Sequence, residues 1–424
     1  MKSYKRKKRL IAVSLSLVLL LVSIIGLASC AISYPEAESL MDSIKAQEQE
    51  TKEIEDDFIK NTYEFSTDLF KRSIDMEENS LVSPLSVLLA LAMTANGADT
   101  LTLEQMEDVL GMGTAIEDLN SYLYSYVKGL PSSDKAKLSI ANSIWFRDDE
   151  GRLTIEEDFL QTNANFYGAD IFKAAFDGQT VKDINKWVED KTDGMIDQIL
   201  EDIGSDHIMY LLNAIAFDAE WSVVYNKDQI ISSEFQAISG EKQAVDLMNS
   251  EEDWYLDDGK ATGFIKPYHG GHYSFVALLP NEDIPLDDYI DSLTGETLMA
   301  TIKGAEPNLV YASLPKFSYE YEIKMNDALI DLGMPNAFEP SLADFSKLGQ
   351  STRGNIFCEE VFHKSFISVD ELGTKAGAVT KVVMSDEAYI EGKYVRLDRP
   401  FVYAIVDKTT SLPIFIGTVV DLEK

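Results

Sequence analysis

The chain is 424 residues long, 45% hydrophobic and 10% aromatic, a composition that supports a large buried core and excludes a disordered or fibrous protein. Six of its 37 basic residues crowd into the first nine positions, and residues 1–29 contain no acid; beyond them 31 basic residues face 72 acidic ones, a net charge of −41 against −35 for the whole chain. A surface of that sign repels nucleic acid and anionic lipid headgroups and favours cationic partners.

Lys2, Lys5, Arg6, Lys7, Lys8 and Arg9 precede the apolar run 10–26, which ends in Leu27-Ala28-Ser29-Cys30. This is the layout of a signal peptide. The small-small-Cys ending resembles the lipobox of bacterial lipoproteins, which implies lipidation of Cys30 and removal of residues 1–29. An uncleaved anchor is the alternative: 17 apolar-rich residues reach the lower edge of a membrane span. Either way the body is expected to be exported and held at the outer face of a membrane. The stretch 31–57 is rich in Glu, Gln, Ser and Asp, so residues 30–55 are expected to form an acidic, solvated tether. Cys358, among Phe357, Val361 and Phe362, reads as a small buried hydrophobe.

Phe58, Phe65, Leu69 and Phe70 recur at near-helical spacing. A second helix opens at Ser83-Pro84, with Ser83 suited to the N-cap and Pro84 to the first helical position. Residues 138–146 alternate as a strand, 155–166 as an amphipathic helix, and 184–196 as a helix running into a glycine turn. His269-Gly270-Gly271-His272 lies between two apolar strands and reads as a hairpin turn; no Cys or acid is fixed nearby, so a metal is not expected. With four histidines (His207, His269, His272 and His363) and no G-x-S-x-G, H-E-x-x-H or Walker motif, the chain carries no catalytic or cofactor signature.

The most telling stretch is Glu371-Leu372-Gly373-Thr374-Lys375-Ala376-Gly377-Ala378-Val379-Thr380. In an extended chain Thr374, Ala376, Ala378 and Thr380 fall on one face, all small, while Lys375 and Lys381 fall on the other. Such a segment can enter a sheet without burying bulk or charge, yet the polar run 385–392 that follows reads as an exposed loop. By itself it could equally be an edge strand leading into a surface loop. Together with Arg399-Pro400-Phe401-Val402 and Ser411-Leu412-Pro413-Ile414-Phe415-Ile416-Gly417, it resembles the hinge, reactive loop and C-terminal strands of the serpin family. Asn79 to Met93 resembles the family's second helix, and 211–221 its central strand with a Trp at the upper end.

The resemblance spans 56–424 and implies one α+β domain with the serpin fold: three β-sheets, eight or nine helices, and an exposed reactive-centre loop at about 371–395. It implies a sheet-opening region of Ser83, Pro84, Ser86, Asn213, Trp221, Lys316 and His363, with Asn213 hydrogen-bonded to His363 and Lys316 paired with the hinge glutamate Glu371. For His363 the residue alone reads equally as a satisfied core histidine. The implied activity is that of a monomeric suicide-substrate inhibitor of serine or cysteine proteases, with no cofactor. After acylation by the protease the segment from Thr374 onward would insert into the main sheet. Counting forward from Glu371 puts the scissile residue at Glu387, before Ala388, and counting back from Pro400 puts it at Tyr389, so elastase- or chymotrypsin-like targets are expected. A serpin-fold surface protein that holds a partner without trapping it is the alternative.

Overall fold

The computed structural model describes residues 37–148, 151–204, 207–352, 354–374 and 391–423. The lipobox, Cys30, the hinge residues Ala376, Ala378 and Thr380, and the candidate scissile residues Glu387, Ala388 and Tyr389 lie outside the described residues.

In chain order the described elements are β1 (Glu38–Ser39), α1 (Asp56–Arg72), β2 (Ser80–Val82), α2 (Pro84–Ala95), α3 (Thr100–Gly111), α4 (Ile116–Gly129), β3 (Ala136–Arg147), β4 (Leu153–Ile155), α5 (Glu157–Tyr167), β5 (Asp170–Ala174), α6 (Gly178–Lys191) and β6 (Met209–Glu220). Next come β7 (Ile230–Gln236), β8 (Lys242–Asp257), β9 (Ala261–Pro267), β10 (Tyr273–Pro280), α7 (Leu286–Ser292), α8 (Gly295–Lys303), β11 (Glu306–Pro315), β12 (Phe317–Lys324) and α9 (Asn326–Leu332). The chain closes with β13 (Gly349–Ser351), β14 (Glu360–Val369), β15 (Gly373–Thr374), β16 (Lys393–Arg396), β17 (Phe401–Asp407) and β18 (Pro413–Val419). Helices and strands mix in an α+β arrangement with three sheets: a seven-stranded one ordered β1-β5-β3-β6-β15-β14-β12, a nine-stranded one, and the pair β13-β4.

The two large sheets share one hydrophobic core, and α2 runs through it with all of its residues buried. An apolar helix of this kind has no wet face to place, which fits a sequence of Leu, Ala, Val and Met with little amphipathic bias. Its start is fixed as the sequence suggests, with Ser83 as N-cap and Pro84 in the first turn. On the outer face of the seven-stranded sheet a second, smaller core forms where Ile184, Trp187 and Val188 of α6 meet Trp145, Tyr210, Leu212 and Phe362. The His269–Gly271 turn joins β9 to β10, which pair antiparallel, and Gly270 at φ +81° supplies the left-handed step. Cys358 is buried, and burial pushes its thiol up to about 12.

Residues 37–55 depart from the expected solvated tether. β1 adds an antiparallel strand to the edge of β5, pairing Glu38 with Lys173 and Ser39 with Phe172. Further along, the Gln47 amide donates to Asn165 Oδ1 (2.8 Å), the Lys52 amide to Ser125 Oγ (2.7 Å), and Lys128 pairs with Glu48 (2.8 Å). Leu40, Met41, Ile44 and Ile54 pack on the main core. The acidic composition hid these four apolar contacts, and the segment covers what would otherwise be an open strand edge. We expect the double substitution Leu40→Glu, Ile44→Glu to detach the segment and raise its proteolysis by roughly tenfold, the effect of losing about 1–2 kcal/mol of apolar burial. Unaltered cleavage kinetics would show that the polar contacts alone hold it.

Candidate functional site

The site is a seam in the seven-stranded sheet. β6 is the long strand at its centre, paired antiparallel with β3 along its whole length, from Ala136↔Ala219 to Phe146↔Met209. β14 is held on its far side by β12, antiparallel from Phe317↔Val369 to Lys324↔Phe362. Between them β6 and β14 pair directly, and in parallel, only from Glu360↔Tyr210 to His363↔Asn213. At the upper end β15 stands between the two, with Val369 opposite Thr374 on one side and Ala219 opposite Thr374 on the other.

The turn that brings the chain back is built by Asp370, whose Oδ1 accepts from the amides of Leu372 (2.7 Å) and Gly373 (3.2 Å). Gly373 is required by close approach: a Cβ there would lie 2.0 Å from the Ala219 carbonyl oxygen. Trp221, just past the end of β6, clamps the turn from below. Its amide donates to the Leu372 carbonyl (2.8 Å) and its indole Nε1 to the Asp370 carbonyl (2.8 Å), while the Tyr225 amide donates to the Glu371 carbonyl (2.9 Å). Thr374 is buried, its hydroxyl hydrogen-bonded to Tyr268 (2.6 Å), whose ring stacks on Trp221 at 4.5 Å. Beneath them Lys266 and Glu252 form a buried ion pair (2.8 Å), with the ammonium also over the Tyr225 and Trp221 rings.

The Lys316–Glu371 ion pair expected at the mouth of the seam is present at 2.7 Å. The Lys316 ammonium holds the Glu371 carboxyl below its ordinary range. Both side chains are about a third exposed, so the pair positions the turn more than it stabilises the fold. The hinge begins differently from the expectation of a free loop up to insertion: Gly373 and Thr374 already occupy strand positions. At the other end β16 starts at Lys393, so the loop gives way to strand before residue 395.

Under the lower half of the seam lie Ser83, Ser86, Asn213 and His363. Ser83 Oγ donates to the Ile414 carbonyl (2.7 Å), and the Ser83 amide donates to His363 Nε2 (3.1 Å). Asn213 Nδ2 donates to the Ser86 carbonyl (3.0 Å) and to Asn142 Oδ1. The expected hydrogen bond between Asn213 and His363 is not made. Their backbones are register partners, but each side chain is turned towards α2 or β3 instead, and His363 Nδ1 and Asn213 Oδ1 find no hydrogen-bond partner among the described residues. Burial pulls the imidazole down to about 4, with the nearby Leu81 carbonyl opposing the drop.

Of the site residues, Tyr268, Lys266, Glu252, Tyr225, Asn142 and Asp370 were not picked out from the sequence. Asp370, three residues before Gly373, carries a readable Asx-turn signal. The Lys266–Glu252 pair has none, because its partners come from different strands.

The family model described as Serpin (serine protease inhibitor) matches residues 60–422. A serpin-like protein of Thermococcus kodakarensis is 30% identical over 365 residues, covering 83% of each chain, and the leukocyte elastase inhibitor of Xenopus laevis is 30% identical over 83% of this chain and 96% of its own. The native-state crystal structure of tengpin, a thermophilic serpin, is 56% identical, covers 92% of this chain and all of its own, and superposes with a TM-score of 0.89. The chain belongs to the serpin family, whose general activity is inhibition of serine proteases.

The buried imidazole makes the site acid-sensitive. In the unfolded chain His363 takes up its proton near 6.5, but in the fold only near 4, so between those values the unfolded state binds more protons. Stability is therefore complete above about pH 6.5 and falls as the pH drops towards 4, by up to about 3 kcal/mol. Denaturant midpoints of wild type and His363→Gln should diverge across that window, with the wild type the steeper; parallel curves would contradict a neutral buried imidazole.

Proposed function

We propose that the protein inhibits serine-type endopeptidases as a suicide substrate, trapping the protease as an acyl-enzyme when its cleaved loop inserts into the seven-stranded sheet. The observation that carries this reading is the position of Gly373 and Thr374. The strand has already started between β6 and β14, in a register that can continue.

That register is the same above and below. Through Thr374, Val369 faces Ala219, and lower down Glu360 pairs with Tyr210, so β14 and β6 keep a constant offset of 150 residue numbers. A descending strand would need the two to part sideways and never to slip. Continued stepwise, it would bring residue 380 between Asn213 and His363, and residue 383 between Tyr210 and Glu360. Ten residues from Thr374 to Val383 make a strand about 33 Å long, enough to carry an attached protease from one end of the sheet towards the other. Thr374 points into the core, so Ala376, Ala378, Thr380 and Val382 would share its face, with no charge among them, and Lys375 and Lys381 would face outward.

The chemistry belongs to the protease. Its nucleophile attacks the loop carbonyl at Glu387, Ala388 or Tyr389, the peptide bond breaks, and the new amino terminus leaves with the segment that runs into β16. Insertion then drags the ester-linked protease away, and loss of its oxyanion-hole geometry stalls deacylation. The absence of Lys or Arg between 382 and 392 favours elastase- or chymotrypsin-like targets. The acidic body favours a cationic one. The amino-terminal layout supports a site of action at the outer face of a membrane, with the protein a monomer tethered through Cys30 and residues 37–55 lying on its body.

The test is incubation of the wild type and Ala378→Arg with elastase-, chymotrypsin-, trypsin- and glutamate-specific proteases, read by denaturing electrophoresis and intact mass. We expect a denaturant-resistant complex from the wild type, and a variant cut at the same bond that yields roughly tenfold less complex, because an unpaired guanidinium cannot follow Thr374 onto the core face of the sheet. Equal complex yield from the variant, or clean cleavage of the wild type by every protease that cuts the loop, would defeat the reading and favour a non-trapping surface binder.

A further inference from the structure

We propose that the lipid on Cys30 holds the protein by the foot of the seven-stranded sheet, with the reactive loop turned away from the membrane, so that trapping carries the protease down onto the lipid surface; the inference rests on the tethered-trap reading above. It follows from where the amino-terminal segment joins the sheet. Register partners set one row across the sheet at the lower end of the seam: Ser39, Phe172, Trp145, Tyr210 and Glu360. The row at the mouth is Ala136, Ala219, Thr374 and Val369. From Tyr210 to Ala219 the two rows are nine residues apart along β6, about 30 Å.

The direction of β1 fixes the side from which the chain arrives. β3 runs downward from Ala136, opposite Ala219, to Phe146, opposite Met209; β5 is parallel to β3 and β1 antiparallel to β5. β1 therefore climbs, with Glu38 beside Lys173, one row below Ser39. The residue before it, Ala37, is pinned through its amide to Asp183 Oδ2 (3.0 Å). Seven peptide steps separate Ala37 from Cys30, so by chain length alone the lipid is held within about 25 Å of the foot. The body beyond Cys30 carries a net charge of −41, which keeps it from lying down on anionic headgroups. Gly373 and Thr374, where the loop begins, stand at the opposite end of the sheet. The uncleaved loop is thus presented outward, to a protease in solution.

Insertion would reverse that presentation. By the register above, residue 383 would come between Tyr210 and Glu360, in the row of Ser39 and four strand spacings from it, about 19 Å. The candidate scissile residues Glu387, Ala388 and Tyr389 follow residue 383, so the acylated end would emerge below the foot, beside the tether. A protease domain of about 230 residues is roughly 45 Å across, wider than the gap of about 25 Å that the tether can span. The trapped protease would be pressed against the bilayer, and the body would tilt to admit it.

The experiment uses the full chain, expressed with its signal peptide so that Cys30 is lipidated, and reconstituted in phosphatidylglycerol-containing vesicles that carry an acceptor-labelled lipid. With Cys30 acylated and Cys358 buried, an introduced cysteine is the single reactive thiol. A donor dye is placed at the foot through Asp148→Cys, beside Lys173, or at the mouth through Lys135→Cys, beside Glu220. We expect energy transfer to the membrane to be several-fold stronger from the foot than from the mouth. In a second arm the undyed chain on the same vesicles meets a donor-labelled protease that cuts the loop. Transfer from protease to lipid should appear with the covalent complex, survive washing, and be absent with Ala378→Arg. Equal transfer from the two dyes would overturn the orientation, and covalent complexes on the vesicles without transfer from the protease would overturn the delivery. A wild type that forms no covalent complex even in detergent solution would sink the trap and the delivery with it, while the two dyes would still decide the orientation. A chain whose mass shows no lipid on Cys30 would overturn the whole inference and leave the trap standing.

Discussion

β6 and β14 are parallel strands whose mutual offset is constant from the mouth of the seam, where Thr374 stands between them, to its lower half, where they pair directly. Everything else in the site depends on that geometry. A strand entering from the top would meet two edges already in step, and it would convert one parallel pairing into two antiparallel ones. Antiparallel ladders are slightly the stronger per residue, so the sheet would gain both extra hydrogen bonds and a better pattern. The lock against this is modest: four direct register pairs, the exposed Lys316–Glu371 ion pair, and the packing of α6 across the outer face.

The upper end is built to hold Gly373 and Thr374. Gly373 fits only because it has no Cβ to meet the Ala219 carbonyl, and Asp370 folds the turn that aims it. Trp221, Tyr268 and the buried Lys266–Glu252 pair give that turn a rigid floor. At the lower end the floor is α2, whose capping serine holds the ring of His363 and whose Ser86 carbonyl holds the amide of Asn213. The same helical start that terminates one element therefore orients the groups on which the next strand would land.

Much of this was legible in the sequence, and the reasons are local. Ser83-Pro84 announces a helix start through capping chemistry, and the glycines of His269-Gly270-Gly271-His272 between two apolar runs announce a hairpin turn. Glu371 and Lys316 could be paired only through family resemblance, since 55 residues separate them. What stayed hidden depended on three-dimensional context. The acidic residues of 37–55 outweighed the four aliphatics that fasten it. Asn213 and His363 were expected to satisfy each other, but the amides and carbonyls of α2 and the Asn142 side chain compete for them and win. The buried charge pair beneath Trp221 needs two strands to be adjacent before it exists at all.

Trapping by this route requires the seam to part and admit the loop segment, and hydrogen exchange before and after loop cleavage measures that most directly. Insertion predicts that amides of 375–383 gain protection on cleavage and become as protected as those of β6 and β14, with the two flanking strands more protected than before. Free exchange of 375–383 after cleavage, with β6 and β14 unchanged, would contradict it.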